Sequence, residues 1–203
     1  MKKVFESTVH KQRFVLGLVC GLLPILDIIF GLIFEHNFPQ SISITYYSAY
    51  CIIMVAALTL CTFFLSTYEG YDMGDRIWTI LAALGAFGVM AFPCYNDGVK
   101  VIGLFSLNVD TSNILHFISA FLVFGSFAIM TLTQFTKGSH KKRNILYYVC
   151  GAIMILALVC TGLTMWVPAL NFKGSVMVYE CIMLEAFALA WLVKSGIFFK
   201  NKN

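Results

Sequence analysis

Charged residues are scarce in this sequence. They make up 12% of the 203 residues, whereas hydrophobic residues make up 60% and the mean hydropathy is +0.84. A water-soluble domain contains about 25% charged residues, because its surface must be hydrated. The scarcity therefore argues against an ordinary soluble domain and predicts an integral membrane protein. The net charge of +4 does not predict nucleic-acid binding, because the positive charges gather at the ends of apolar segments.

Motifs that would indicate a specific chemistry are also absent. The seven cysteines include no Cys-x-x-Cys pair, and six of them lie within apolar runs. The sequence therefore predicts neither a disulfide framework nor a zinc site. A Gly-rich phosphate loop and a Gly-x-Ser-x-Gly turn are missing as well. We accordingly predict no cofactor and no metal, and we assign no catalytic residue.

Six apolar segments are long enough to cross a bilayer as helices. A hydrocarbon core of about 30 Å requires about 20 apolar residues, and in lipid the backbone must satisfy its own hydrogen bonds. The predicted spans are 14–34, 46–66, 77–93, 114–135, 146–167 and 176–199, of which the third is the shortest. No connection is long enough to form a second domain. The whole chain, 1–203, is therefore predicted to be one all-α, polytopic helix bundle.

Lysine and arginine are distributed unevenly between the two sides of these spans. With the N-terminus in the cytoplasm, 12 of the 14 lie on the cytoplasmic side, and only Lys100 and Lys173 lie on the other. Basic residues are retained on the cytoplasmic side, so both termini are predicted to be cytoplasmic, as an even number of spans also requires. The acidic 69–76 connection is expected to pair with the basic 137–143 connection. The expected location is a bacterial cytoplasmic membrane.

Small residues on the third span predict close contact with a neighbouring helix. Glycine and alanine let two helix backbones approach each other in a membrane, where packing drives helix association. The third span carries Ala82, Ala83, Gly85, Ala86 and Gly88, and the first and fifth spans carry Gly17, Gly21 and Gly151.

Polar and ionisable side chains within the spans form the candidate site. A charge at the centre of a membrane helix costs about 2.5–3.5 kcal/mol on insertion scales, so it usually has a function. The candidates share the outer half of the membrane, which predicts a polar cavity there. Glu180 and Glu185 are five residues apart, about 140° around a helix, so they are not expected to point at one atom. The predicted cavity-lining residues are Asp27, His116, Ser119, Glu180 and Glu185.

Three functions are compatible with such a cavity. The leading hypothesis is a non-enzymatic protein that binds or helps to distribute a lipid or a small amphiphile. A second is a proton-coupled transporter of small molecules, in which Asp27 or Glu185 changes its protonation. A third is a lipid hydrolase or transferase that uses His116 and a carboxylate as acid and base. The same side chains could also form a set of hydrogen bonds that only ties helices together. Membrane lipids are the expected partners, and a homo-oligomer is left open.

Two short patches carry a resemblance to a known family. Residues 38–43 (Phe-Pro-Gln-Ser-Ile-Ser) lie between the first two spans, and residues 115–120 (Leu-His-Phe-Ile-Ser-Ala) open the fourth. In these patches, in the loop at 71–72 and in its six-span layout, the chain resembles the damage-regulated autophagy modulator and Sfk-like family and related uncharacterised bacterial membrane proteins. It departs from that pattern at residues 44–46, where Ile-Thr-Tyr replaces the aspartate and acidic-proline residues expected there. The resemblance implies a role in lipid organisation or remodelling and no specific reaction.

Overall fold

The computed structural model describes residues 2–70, 72–164 and 166–196, with side chains from residue 8 onward. These residues form six α-helices and one short β-hairpin. The end of the sixth predicted span at 197–199, the basic residues Lys200 and Lys202, and Tyr71 lie outside the described residues. The helices are α1 Lys2–Phe34, α2 Ile52–Ser66, α3 Met73–Ala91, α4 Val109–Thr133, α5 Lys141–Leu163 and α6 Ser175–Lys194. Strands β1 Val101–Ile102 and β2 Leu107–Asn108 pair antiparallel. The predicted all-α class is confirmed.

Five of the six helices are long and apolar enough to cross a membrane. These five segments contain between 19 and 29 residues, and only α2 is too short to be counted with them. Large apolar side chains cover the outside of the bundle, as at Phe121 and Leu156, which are 66% and 65% exposed. A bilayer solvates such a surface, whereas water does not. By helix length and hydropathy, the chain is a multi-pass membrane protein.

The second helix begins later than its predicted span. The prediction placed the start at residue 46, but α2 begins at Ile52 and contains 15 residues. The preceding segment forms a 3-10 turn, Ser43–Tyr47, in which the Thr45 hydroxyl donates to the carbonyl oxygen of Ile42 at 2.6 Å. Ser and Thr side chains that bond to nearby backbone groups compete with a helix, an effect that hydropathy does not include. The shortest span is therefore the second, and the prediction that it is the third was wrong.

Neighbouring helices pack side by side and close into a ring. Each helix contacts the next one along the chain, α6 contacts α1, and α4 also contacts α6 across the middle. Aromatic side chains fill the interior between these helices. The rings of Phe127 on α4 and Phe187 on α6 stack with their centroids 3.5 Å apart, and Trp191 is fully buried beside them. Elements from both ends of the sequence therefore share one core.

Glycines allow the close helix contacts that the sequence predicts. A Cβ at Gly85 of α3 would lie 2.8 Å from the main-chain oxygen of Ser119 and 2.8 Å from the main-chain nitrogen of Val123, both on α4. A Cβ at Gly17 of α1 would lie 3.1 Å from the main-chain oxygen of Ala188 on α6. The backbones approach closely at both places because a hydrogen replaces the side chain. The predicted role of these two glycines is confirmed.

The two ends of the bundle differ. At one end, the basic end, Nδ1 of His10 donates to the main-chain oxygen of Ser195 at 2.7 Å, and the Lys137 ammonium pairs with the Asp72 carboxylate at 2.5 Å. The second contact confirms the predicted pairing of the acidic and basic connections. The contact between His10 and Ser195 places the start of α1 and the end of α6 on the same side. The opposite end, the loop end, consists of residues 35–51, 92–108, 164 and 166–174.

Candidate functional site

Three polar side chains from separate elements meet at the loop end. Ser43 lies in the 3-10 turn before α2, His116 lies on α4 and Glu180 lies on α6. The Ser43 hydroxyl is 3.0 Å from Nε2 of His116 and 3.4 Å from Oε1 of Glu180. All three residues are buried, with exposed fractions of 9%, 4% and 7%. We call Ser43, His116 and Glu180 the polar network.

The main chain selects the tautomer of His116. Nδ1 lies 2.8 Å from the carbonyl oxygen of Phe92, which can only accept a hydrogen bond, so Nδ1 carries a hydrogen. In the neutral imidazole Nε2 is then an acceptor, and the Ser43 hydroxyl is its donor. That hydroxyl has a single hydrogen, so Ser43 donates either to His116 or to Glu180 at any one time. The polar network therefore has two hydrogen-bond arrangements for the same atomic positions.

Glu180 attaches the segment before α2 to α6. Its Oε2 accepts a hydrogen bond from the main-chain N–H of Ile42 at 2.5 Å. The main-chain N–H of Met177 donates to the carbonyl oxygen of Gln40 at 3.0 Å, next to the same contact. Gly174 has a φ of 76°, a conformation that favours glycine, and it leads the chain into α6 at this point. Segment 40–47 is thus held to α6 by Glu180 and to α4 by His116.

A cavity of about 380 Å³ lies beside segment 40–47. We call it the loop-end cavity. Its lining residues include Glu35, Gln40, Ile44, Tyr47, Tyr50 and Lys173. Three of them, Gln40, Ile44 and Tyr47, belong to segment 40–47, which the polar network holds in place. The cavity therefore combines both signs of charge with aromatic rings, and its volume is within the range of about 300–1,000 Å³ for small-molecule sites.

A second and much smaller cavity, of about 50 Å³, lies inside the bundle. Its lining is largely apolar, but Ser43 contributes a hydroxyl group to it and Glu180 contributes a carboxyl group. Cys20 and Cys61 also line it, with their sulfur atoms 3.6 Å apart and no disulfide between them. The residue that follows Ser43, Ile44, lines the loop-end cavity instead. The segment before α2 therefore separates a polar cavity from an apolar one.

Asp27 is separate from the polar network. It is 0% exposed, and neither carboxylate oxygen has a hydrogen-bond partner among the described residues. One turn further along α1, a Cβ at Gly31 would lie 2.8 Å from the hydroxyl oxygen of Tyr50. The Tyr50 hydroxyl is also buried and has no partner in the described part of the chain. Unsatisfied buried polar groups are rare, and here one lies on α1 while the other belongs to the connection before α2 and lies beside the next turn of α1.

Ser119 and Glu185 do not join the polar network. The Ser119 hydroxyl donates to the main-chain oxygen of Leu115 in its own helix, at 2.7 Å. Glu185 is exposed on α6 beside α1, with Oε2 3.6 Å from the position of a Cβ at Gly21. Glu180 is buried, so the two glutamates do point in different directions, as predicted. Of the five predicted residues, the structure joins His116 and Glu180, and it does so through Ser43.

Sequence reasoning missed the charged residues that line the loop-end cavity. Glu35 and Lys173 lie in connections, where an isolated charged residue is ordinary, and nothing in one sequence shows that they share a cavity. Ser43 and Tyr47 were not among the predicted cavity-lining residues either. The available signal was the run of hydroxyl residues at 41, 43, 45 and 48, because closely spaced Ser and Thr favour turns over helices.

Comparison of the chain with protein-family models, curated proteins and solved structures found no match. The resemblance to the damage-regulated autophagy modulator and Sfk-like family therefore stays a prediction. The residues that the structure describes contain no group of three or more His, Cys, Asp and Glu side chains that could hold a metal ion.

Proposed function

We propose that this membrane protein binds an amphiphile, a lipid or a lipid-like molecule, with its polar head group in the loop-end cavity. The observation that carries the proposal is a cavity of about 380 Å³ with charged and aromatic lining, at one end of a bundle with an apolar outer surface. An amphiphile matches both features, because its head group needs polar partners and its chains need an apolar surface. Membrane lipids are the proposed partners.

Within this proposal, His116 and Glu180 are positioning residues. Both contact Ser43, and Glu180 also accepts the main-chain N–H of Ile42. They thereby hold one wall of the loop-end cavity, to which Ile44 contributes. Their burial in a hydrogen-bonded network accounts for polar residues at a depth where they are costly. Asp27, Ser119 and Glu185 have no contact of this kind, and we assign them no role in positioning the wall.

Filling the cavity tests the binding proposal. In Ile44→Trp a large side chain occupies the loop-end cavity, so binding of a fluorescent short-chain phospholipid by the purified full chain should weaken about tenfold or more. The matched control is Ile114→Trp, because Ile114 is 60% exposed on the outer face of α4, and its affinity should stay unchanged. Circular dichroism and gel filtration verify that both variants fold. Wild-type affinity in a folded Ile44→Trp would exclude the loop-end cavity as the site.

We also propose that both termini face the cytoplasm of a bacterial cell. The basic end carries Lys137, Lys141 and Lys142, and the start of α1 and the end of α6 lie there together, which supports an even number of crossings. Single cysteines are introduced into a variant that lacks the native cysteines. A cysteine at position 138 reports whether the basic end is accessible, and a cysteine at position 97 reports the same for the loop end. A membrane-impermeant maleimide should label intact spheroplasts at Asp97→Cys and not at Gly138→Cys. The reverse labelling pattern would show that both termini face away from the cytoplasm.

The contact between Ser43 and His116 favours acyl transfer as a second candidate function. A hydroxyl donor 3.0 Å from an imidazole acceptor is the arrangement of a nucleophile and its base. In this reaction Oγ of Ser43 attacks an ester carbonyl carbon, and its proton passes to Nε2 of His116 and then to the departing alcohol. A water molecule then loses a proton to the same nitrogen and its oxygen attacks the acyl carbon. Oγ of Ser43 leaves with the proton from Nε2, which releases the acid and restores the hydroxyl.

A fluorophosphonate probe tests this second candidate, because it reacts covalently with nucleophilic serines. Acyl transfer requires labelling at Ser43, loss of the label in Ser43→Ala and slower labelling in His116→Ala. Peptide mass spectrometry identifies the labelled position. A chain that binds phospholipid but carries no label at Ser43 would exclude acyl transfer and would leave the binding proposal intact.

A further inference from the structure

The loop-end cavity carries one charge of each sign. Glu35 follows α1 and Lys173 precedes α6, and both are exposed and line the cavity. They do not pair with each other, and no other described residue forms an ion pair with either of them. A purely anionic ligand would be repelled by Glu35, and a purely cationic one by Lys173. A ligand that carries both charges avoids both conflicts.

Aromatic rings near Glu35 suit a cationic group. Tyr50 lines the cavity and packs against Phe34, the residue before Glu35, with ring centroids 6.5 Å apart. Phe38 and Tyr47 line the same cavity. The faces of aromatic rings attract ammonium groups through their quadrupoles, quaternary ammonium included. The Glu35 carboxylate adds an opposite charge, so this side of the cavity fits an ammonium group.

Hydrogen-bond donors for an anion line the cavity as well. Lys173 contributes an ammonium group, and Gln40 and Asn96 contribute side-chain amides. A phosphate offers several charged acceptor oxygens and makes strong hydrogen bonds with such donors.

We propose that the loop-end cavity binds a zwitterionic lipid head group, with its ammonium beside Glu35 and Tyr50 and its phosphate beside Lys173. This inference rests on the proposed function, because it names the ligand class of the same cavity. The source is a membrane lipid, since the apolar outer surface of the bundle lies against the acyl chains of the bilayer.

Lipids that differ only in their head groups test the inference. The purified full chain in maltoside detergent is titrated with short-chain phosphocholine, phosphoethanolamine and phosphoglycerol lipids and with a trimethylammonium lipid that lacks phosphate. The two zwitterionic lipids should bind about tenfold more tightly than the other two. Equal affinity for all four would overturn the head-group assignment and leave amphiphile binding standing. Absence of binding by any of them would overturn both.

Two substitutions separate the two charges of the cavity. Glu35→Gln should weaken phosphocholine-lipid binding about tenfold and leave phosphoglycerol-lipid binding unchanged or stronger. Lys173→Met should weaken phosphocholine-lipid binding similarly and leave trimethylammonium-lipid binding unchanged or stronger. The controls Glu69→Gln and Lys100→Met remove exposed charges that do not line the cavity, and all affinities should stay at wild-type values. Wild-type phosphocholine-lipid affinity in both cavity variants would overturn the inference.

Phosphocholine without acyl chains separates a lipid from a soluble ligand of the same chemistry. It should compete with the phosphocholine lipid only weakly, because it lacks the apolar area that contributes to binding. Competition as strong as that of the lipid itself would overturn the assignment to a membrane source.

Discussion

The hydroxyl of Ser43 lies 3.0 Å from Nε2 of His116, although 73 residues separate the two in the sequence. The other ring nitrogen of His116 donates to the main-chain oxygen of Phe92, so the imidazole is held at both nitrogens. Glu180 binds the main-chain N–H of Ile42, the residue before Ser43. One wall of the loop-end cavity therefore depends on buried contacts between distant residues as well as on regular secondary structure.

Removal of the Ser43 hydroxyl should destabilise the bundle. In Ser43→Ala, Nε2 of His116 loses its partner inside the protein, which costs about 1–3 kcal/mol for a buried polar group. The free energy of unfolding, measured by titration with sodium dodecyl sulfate, should fall by that amount. Ser139→Ala is the control, because Ser139 is exposed in the connection before α5. Equal stability of the two variants would mean that the contact between Ser43 and His116 contributes nothing.

Replacement of Asp27 by leucine should stabilise the protein. The Asp27 carboxylate is fully buried, and neither oxygen has a partner among the described residues. An apolar side chain of similar size removes a desolvation cost of about 1–3 kcal/mol. The unfolding free energy of Asp27→Leu should therefore rise, and Asp27→Asn, which keeps a polar group, should gain less. Lower stability of Asp27→Leu than of the wild type would show that Asp27 has a stabilising partner.

A methyl group at Gly85 should separate α3 from α4. Its Cβ would lie 2.8 Å from two main-chain atoms of α4, and the backbone cannot move aside as a flexible side chain can. Gly85→Ala should lower the unfolding free energy by about 1–3 kcal/mol. Gly162→Ala is the matched control, because a Cβ there meets nothing within 4 Å. A drop in stability of the same size in both variants would contradict the close contact.

The contribution of Asp72 to stability should depend on pH. The Lys137 ammonium, and after it the main-chain N–H of Asp75, hold the pKa of the Asp72 carboxyl below its usual value. A lowered pKa in the folded state stabilises the protein above the pKa of unfolded aspartate, about 3.9. That stabilisation is lost as the pH falls through the lower pKa of the folded state.

Thermal unfolding of Asp72→Asn measures this contribution. The wild type should have the higher midpoint at neutral pH, and the difference should disappear in acid. Glu69→Gln removes an exposed carboxylate from the same connection and controls for the general effect of charge. A difference between wild type and Asp72→Asn that stays constant down to acidic pH would contradict the assignment to the charged carboxylate.

The positions of the apolar helices could be predicted because they depend on local composition. The start of α6 at Ser175 lies one residue from its predicted start, and α1 ends at Phe34, as predicted. The start of α2 could not be predicted in this way. Five of the six residues at 46–51 are of hydrophobic types, whereas the hydroxyl groups of Thr45 and Ser48 bind nearby carbonyl oxygens and hold this stretch in turns.

The amino-acid sequence alone was enough to predict that this protein crosses a membrane as apolar helices and that His116 and Glu180 are polar residues within them. It was enough because the thickness and polarity of a bilayer act on each segment separately. The folded arrangement was needed to show that Ser43 joins these two residues, that Glu185 is exposed, and that Glu35 and Lys173 share a cavity. Such contacts depend on how each helix is rotated about its axis and on the path of the connections. Packing between distant parts of the chain sets both.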